Sequence, residues 1–162
     1  MKVFKSTSIS NNYKNSVIAI GNFDGIHIGH KKVLQSAYKK AKKMKKKFGL
    51  LTFEPVPVMF FNKKIINHRL DTLPQKISNL KKEKLDFVII QKFNKKFSKL
   101  TYEDFIYKIL FQKIKCKFLY VSKNFKFGNK REGDVSKLKK FEKKFFYKTI
   151  ITLPLKKKKK TI

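Results

Sequence analysis

Short apolar runs and amphipathic stretches alternate along this chain. Residues 17–20 (Val-Ile-Ala-Ile), 50–53, 86–90 and 117–121 are runs of the kind that a strand covered on both faces requires. Residues 1–4 predict a short edge strand and 147–153 a final strand. Between them the spacing is helical. Val33, Leu34, Ala37, Tyr38, Ala41 and Met44 mark one face from residue 30 to about 47, with lysines opposite. Phe48-Gly49 reads as the end of that helix, with the glycine as its C-cap. Thr72 predicts the cap of a helix that begins at Leu73-Pro74, carries Ile77 and Leu80 and ends near Lys84. Thr101, with Asp104 three positions on, caps another, marked by Phe105, Ile106, Ile109, Leu110 and Ile114. Residues 135–145 predict a further helix, and 156–160 a solvated lysine run. Strands alternating with helices predict an α/β fold built on a doubly wound parallel sheet, in one domain without repeat or linker.

Three connections stand out, after residues 20, 53 and 121. In a parallel sheet they leave the same edge and converge on a crevice beyond the carboxyl ends of the strands. The first reads Gly21-Asn22-Phe23-Asp24-Gly25-Ile26-His27-Ile28-Gly29-His30 and runs into a helix. A strand, a glycine turn and a helix N-terminus expose backbone N–H groups to an anion such as phosphate, and the helix dipole adds to the attraction. Gly21, Gly25 and Gly29 let the backbone approach a ligand. His27 and His30, three positions apart, share one face of a helical first turn. Two imidazoles over an anion pocket suit the stabilisation of charge on a phosphoryl group. By itself such a pair is more often surface polarity or half a metal site than catalytic; the strand and turn before it give it weight.

The second connection, Glu54-Pro55-Val56-Pro57, stops regular structure and continues as a loop through Val58-Met59-Phe60-Phe61. Its aromatic rings either stack on a flat ligand or close the core. The third runs from Ser122 through Asn124-Phe125-Lys126-Phe127-Gly128 to Gly133-Asp134.

Charge and cysteine content change this picture little. With 42 Lys and Arg against 10 Asp and Glu, the net charge is +32, which raises nucleic acid as a partner. The excess is nearly all lysine, with Arg69 and Arg131 the only arginines, and it is spread over the chain. Base readout favours bidentate arginine, so no specific nucleic acid partner is expected, only polyanion binding that fades with salt. Cys116 is the single cysteine, which excludes a disulfide framework and a cysteine zinc site and suits a reducing cytoplasm. No apolar run has the length of a membrane span, and the first residues lack a signal peptide's apolar stretch. The expectation is a cytoplasmic protein without a membrane partner.

The motifs together carry a resemblance. The glycine and histidine stretch 21–30, Leu51-Thr52-Phe53-Glu54-Pro55-x-Pro57, Arg69-Leu70 with Lys76, Phe93 to Phe97 leading into Tyr102-Glu103-Asp104-Phe105-Ile106, and Asn124 to Gly128 with Gly133-Asp134 occur in order over almost the whole chain. In this set the chain resembles the FMN adenylyltransferase (FAD synthetase) module of the bacterial bifunctional riboflavin kinase/FAD synthetases. Those belong to the Rossmann-like nucleotidyltransferases marked by His-x-Gly-His. The resemblance implies the reaction of ATP with FMN to give FAD and pyrophosphate, with Mg²⁺ riding on the ATP phosphates and no metal ligands from the protein. It implies that His27 and His30 stabilise the transition state. Gly21, Asn22, Phe23, Asp24, Gly25 and Gly29 would complete the ATP cradle. The flavin would be held by Phe53, Pro55, Pro57, Asn124, Phe125, Phe127, Gly128 and Asp134, with Phe125 and Phe127 equally readable as core residues.

The chain departs from the family pattern at Val56, where histidine is usual, and at Ser122, where glycine is common. A Ser-Ser-Thr-x-Ile-Arg segment follows the last strand in the family; here the chain reads Lys156 to Lys160, Thr161 and Ile162. The expectation is therefore residues 1–162 as a FAD synthetase domain truncated at its C-terminus, without a riboflavin kinase domain. A frameshift in the adenine run or a split gene would produce it. A separate riboflavin kinase chain is then an expected partner. Two alternatives remain open at this point: a nucleotide- or flavin-binding remnant without turnover, and an adenylyltransferase for another phosphorylated acceptor.

Overall fold

The computed structural model describes residues 1–23, 28–62 and 72–152. Six strands form one parallel sheet: β1 Lys2–Phe4, β2 Val17–Ile20, β3 Phe48–Glu54, β4 Phe87–Lys92, β5 Phe118–Ser122 and β6 Lys148–Thr152. Their order across the sheet is β1-β4-β3-β2-β5-β6. The chain builds outward from β2 through β3 to β4, then returns to place β5 on the free side of β2. That makes β2 and β5 the strands beside the topological switch, where doubly wound sheets bind ligands.

Side chains alternate between the two faces, and both faces are covered. One face, with Ile18, Ile20, Leu51, Phe53, Phe87, Ile89, Leu119 and Val121, packs under Phe105, Ile106, Ile109, Leu110 and Leu138. The other face, with Val17, Ala19, Leu50, Val88, Ile90 and Tyr120, packs under α1 (Ile28–Met44) and α3 (Leu73–Lys81). Ala37 and Ala41, one turn apart and both buried, bring α1 close to β2.

The glycine at 49 corrects the expected C-cap. Gly49 lies inside β3, paired with Ile18, and Lys45 with φ 55° takes the left-handed position after α1. A Cβ at 49 would fall 2.2 Å from the Phe87 ring, so the strand needs glycine for packing. The cap predicted at Thr72 is present, and Gln75 completes it as a capping box: Thr72 Oγ1 accepts from Gln75 N at 3.3 Å and Gln75 Oε1 from Thr72 N at 2.8 Å.

The segment 57–61, expected as loop, contains the short helix α2, Pro57–Phe61, with proline in its first turn. Asn94 caps a short α4, Lys95–Ser98, that the spacing did not predict. The helix after Thr101 begins as α5, Tyr102–Asp104, and continues as a π-helix, Phe105–Lys113. Its buried pairs Phe105/Ile106 and Ile109/Leu110, followed by Ile114, repeat every four to five residues. A wider turn with i→i−5 bonds keeps such a stripe on the sheet, as with Ile114 N to Ile109 O at 2.9 Å. The expected helix 135–145 divides at Phe141 into α6, Val135–Lys140, and α7, Glu142–Phe145. The lysine run 156–160 lies outside the described residues.

Candidate active site

Three connections leave the carboxyl ends of β2, β3 and β5, which lie side by side in the sheet. The structure therefore brings together the loops that the sequence marked.

After β2, Gly21 N donates to Leu51 O at 3.2 Å and carries the ladder one residue past the strand. Phe23 then takes φ 47° and folds its ring back, 5% exposed. A Cβ on Gly21 would meet that ring at 2.9 Å, so this glycine makes room for Phe23. Thr52 Oγ1 donates to Asn22 O at 2.9 Å and ties the turn to β3. His30, in the first turn of α1, lies with its ring 4.9 Å from that of Phe23. Asp24, Gly25 and His27 lie outside the described residues, and Gly29 falls in the first turn of α1. The start of α1 stands at the carboxyl edge of β2 with no acidic residue in its first turn, so its dipole is available to an anion.

After β3, Phe93 N donates to Glu54 O at 2.9 Å. Pro55 follows Glu54 through a cis peptide bond, Val56 is buried and Pro57 opens α2. Phe53 is only 6% exposed, its ring 6.2 Å from Phe93 and 5.8 Å from Phe97. Phe60 and Phe61 pack on Phe93 at 5.3 and 5.7 Å, and Phe61 keeps two-thirds of its surface exposed.

After β5, Phe127 and Gly133 form an antiparallel bridge, and Asn129 N donates to Leu100 O at 2.7 Å. Gly128 has φ 78°, and a Cβ there would lie 2.8 Å from Tyr102 N, so both conformation and space demand glycine. Phe127 is 7% exposed, 5.0 Å from Phe105, and Phe125 stacks on it at 5.4 Å and 18°. Of the two roles open to Phe127, burial favours the core. Asn124 is exposed at the turn. Asp134 Oδ1 accepts from Lys137 N at 2.9 Å and caps α6. That backbone N–H, helped by the charges of Lys137 and Lys126, holds the carboxyl below its ordinary range. Asp134 thus closes the loop through this oxygen.

Edge-to-face, tilted and stacked contacts link Phe61, Phe60, Phe93, Phe97, Phe105, Phe127 and Phe125 into one aromatic wall from the second loop to the third. The sequence assigned no role to Phe93 or Phe97 beyond the resemblance, and gave Phe105 only a place on the apolar face of its helix. It also gave none to Thr52, although a lone hydroxyl in an apolar strand was a signal. Lys76, on α3, is buried at 3% exposed.

Among the described residues no three His, Cys, Asp or Glu side chains gather as metal ligands, and no helix is long and apolar enough to cross a membrane. Cys116 is buried, and burial pushes its thiol well above the usual range, which removes it as a nucleophile.

Comparison with known proteins agrees with this geometry. The FAD synthetase family model matches residues 9–162. The bifunctional riboflavin kinase/FMN adenylyltransferase of Buchnera aphidicola subsp. Schizaphis graminum is 42% identical over 136 residues, 84% of this chain and 44% of that protein. The Haemophilus influenzae protein of the same name is 38% identical over 79% of this chain and 42% of its own length. The chain thus spans less than half the length of these relatives. Among solved structures, a Streptococcus pneumoniae chain described as a macrolide-efflux protein superimposes with TM-score 0.79 at 22% identity, over 98% of this chain and 52% of its own. A Francisella tularensis pantoate-beta-alanine ligase does so with TM-score 0.58 at 16% identity, over 98% and 69%. At those identities the likeness is one of fold: an α/β parallel sheet flanked by helices. The family match over nearly the whole length and the identity to the bifunctional relatives agree: the chain belongs to the FAD synthetase family.

Proposed function

We propose that this chain transfers the adenylyl group of ATP to FMN, giving FAD and pyrophosphate. The observation that carries the reading is the convergence of the His30 helix start, the segment 54–62 and the aromatic loop 124–133 on one edge of the sheet. The names of the relatives, each including FMN adenylyltransferase, support it.

In this reading an FMN phosphate oxygen attacks the α-phosphorus of ATP as the bond to the β-phosphate oxygen breaks. The leaving group is pyrophosphate. Such transfers need positioning and charge stabilisation more than covalent help. His30 and His27, with the N–H groups at the start of α1, would face the growing negative charge. Gly21, Asn22, Phe23, Asp24, Gly25 and Gly29 would shape the ATP side. Phe53, Pro55, Pro57, Asn124, Phe125, Phe127, Gly128 and Asp134 would form or brace the flavin side. Mg²⁺ would be carried by the triphosphate and water. FMN would come from a riboflavin kinase, joined to this module or on a separate chain. Both substrates suit a cytoplasmic setting.

The test is chromatographic detection of FAD from ATP and FMN, with stoichiometric pyrophosphate. FAD formation that needs both substrates is expected. FMN binding without FAD under saturating ATP and Mg²⁺ points to a remnant, and turnover only with another phosphorylated acceptor overturns the flavin assignment.

A further inference from the structure

Thr52 is the only wholly buried polar side chain in β3, at 1% exposed. Strand alternation puts it on the same face as Leu50, the face covered by α1. It lies near the carboxyl end of the strand, and its hydroxyl donates to Asn22 O at 2.9 Å. The next residue, Phe23, holds φ 47° without being glycine. Such a conformation persists only where the surroundings hold it. Here the ring is folded onto Gly21 on one side and lies 4.9 Å from the His30 ring on the other. One buried hydroxyl therefore stands at the start of a short series of contacts: Thr52, Asn22, Phe23, His30.

We propose that Thr52 is a positioning residue for the His30 imidazole. Its hydrogen bond fixes the Asn22 carbonyl. The fixed carbonyl keeps Phe23 in its left-handed conformation, and the Phe23 ring sets the surface against which His30 lies. Thr52 touches no reacting atom; it acts through two intermediaries. The effect on rate rests on the adenylyl transfer proposed above, whereas the effect on His30 geometry does not.

Two variants separate the hydroxyl from the space it fills. Thr52→Val keeps the shape and removes the donor, and Thr52→Ser keeps the donor and removes a methyl group. Each is compared with the unaltered chain by FAD formation at varied ATP and by NMR of the His30 ring, assigned with His30→Gln. Thr52→Val is expected to move the His30 ring signals and to lower kcat/KM for ATP by roughly ten- to a hundredfold, the cost of a misplacement on the ångström scale. Thr52→Ser is expected to keep the signals in place and to retain most of the rate.

A folded Thr52→Val with unmoved His30 signals overturns the proposal. So does a Thr52→Ser that loses as much as Thr52→Val, because packing alone would then account for the residue. Should the valine variant not fold, Thr52→Ala replaces it with the same expectations. If the unaltered chain makes no FAD while Thr52→Val still moves the His30 signals, the adenylyl-transfer reading falls and the positioning role stands.

Discussion

The turn after β2 and the loop after β5 leave neighbouring strands at one edge, yet they are held in opposite ways. The loop is anchored many times over. Phe127 is buried against Phe105, Phe125 stacks on Phe127, residues 127 and 133 form a bridge, and Asn129 bonds to Leu100. Among the described residues the turn is held more sparsely, by the Gly21 N–Leu51 O bond, one buried hydroxyl and a left-handed phenylalanine packed on His30. A site that transfers a nucleotidyl group needs both: a stiff wall for a flat acceptor and a finely set group over the reacting phosphate. Damage to the loop should therefore appear first as lost stability, and damage to the turn as lost rate.

The largest effect is expected inside the loop. Phe127→Ala removes a buried ring from the aromatic wall and should cost about 3–5 kcal/mol of stability, measured by denaturant unfolding. A value near zero would mean that the loop is not braced by this ring. On the other side of the comparison, His30→Ala should lower the FAD-forming rate by about a hundred- to a thousandfold, the scale of one lost charge-stabilising donor. Its unfolding midpoint should stay close to that of the unaltered chain, since the ring is only half-buried. A wild-type rate would remove His30 from the mechanism, and loss of folding would place His30 with the loop rather than the turn.

What could be read from the sequence follows the same division. The runs 17–20 and 86–90 were legible as strands because a parallel sheet covered on both faces needs unbroken apolar runs. Thr72 was legible as a cap because capping is local. Gly49 was misleading: next to a helix end it looks like a C-cap, and only the Phe87 ring lying across it explains the residue. The π-helix was hidden because Phe105, Ile106, Ile109, Leu110 and Ile114 also fit an α-helical stripe loosely. At the candidate site, the glycines and histidines suggest a phosphate turn, of which residues 24–27 lie outside the described residues. The roles of Thr52 and Asp134 depend on partners, Asn22 and Lys137 N, that only the fold identifies.

Gly128 braces the loop from within. With φ 78° and ψ 174°, and Tyr102 N 2.8 Å from any Cβ, Gly128→Ala meets both a forbidden conformation and a backbone clash. About 2–3 kcal/mol of stability should be lost, less than for Phe127→Ala because the neighbouring bridge can still form. Gly21→Ala is the matching change in the turn. Its Cβ would press on a side chain, the Phe23 ring, at 2.9 Å. Since that ring can yield, rate should suffer more than stability. The ratio of rate loss to stability loss, measured for both variants by FAD formation and thermal melting, should differ clearly between them. Equal ratios would erase the distinction drawn above.

The smallest effect is expected at Asp134, and it tests whether the loop's end behaves as bracing. The Lys137 N–H holds this carboxyl below its ordinary range, with Lys137 and Lys126 adding to the effect. A group whose folded pKa is depressed contributes stability above its unfolded pKa, about 4 for aspartate, and loses it as pH falls through the folded value. Asp134→Asn keeps a capping oxygen and removes the charge. Its melting temperature should therefore lie slightly below that of the unaltered chain at pH 7, and the gap should close as pH falls below 4. Salt should narrow the gap only in part, because the leading cause is a hydrogen bond rather than the lysine charges. FAD formation at pH 7 should be nearly unchanged if Asp134 only caps α6. A fall in rate without a fall in melting temperature would move Asp134 from the bracing of the loop to the binding of the flavin.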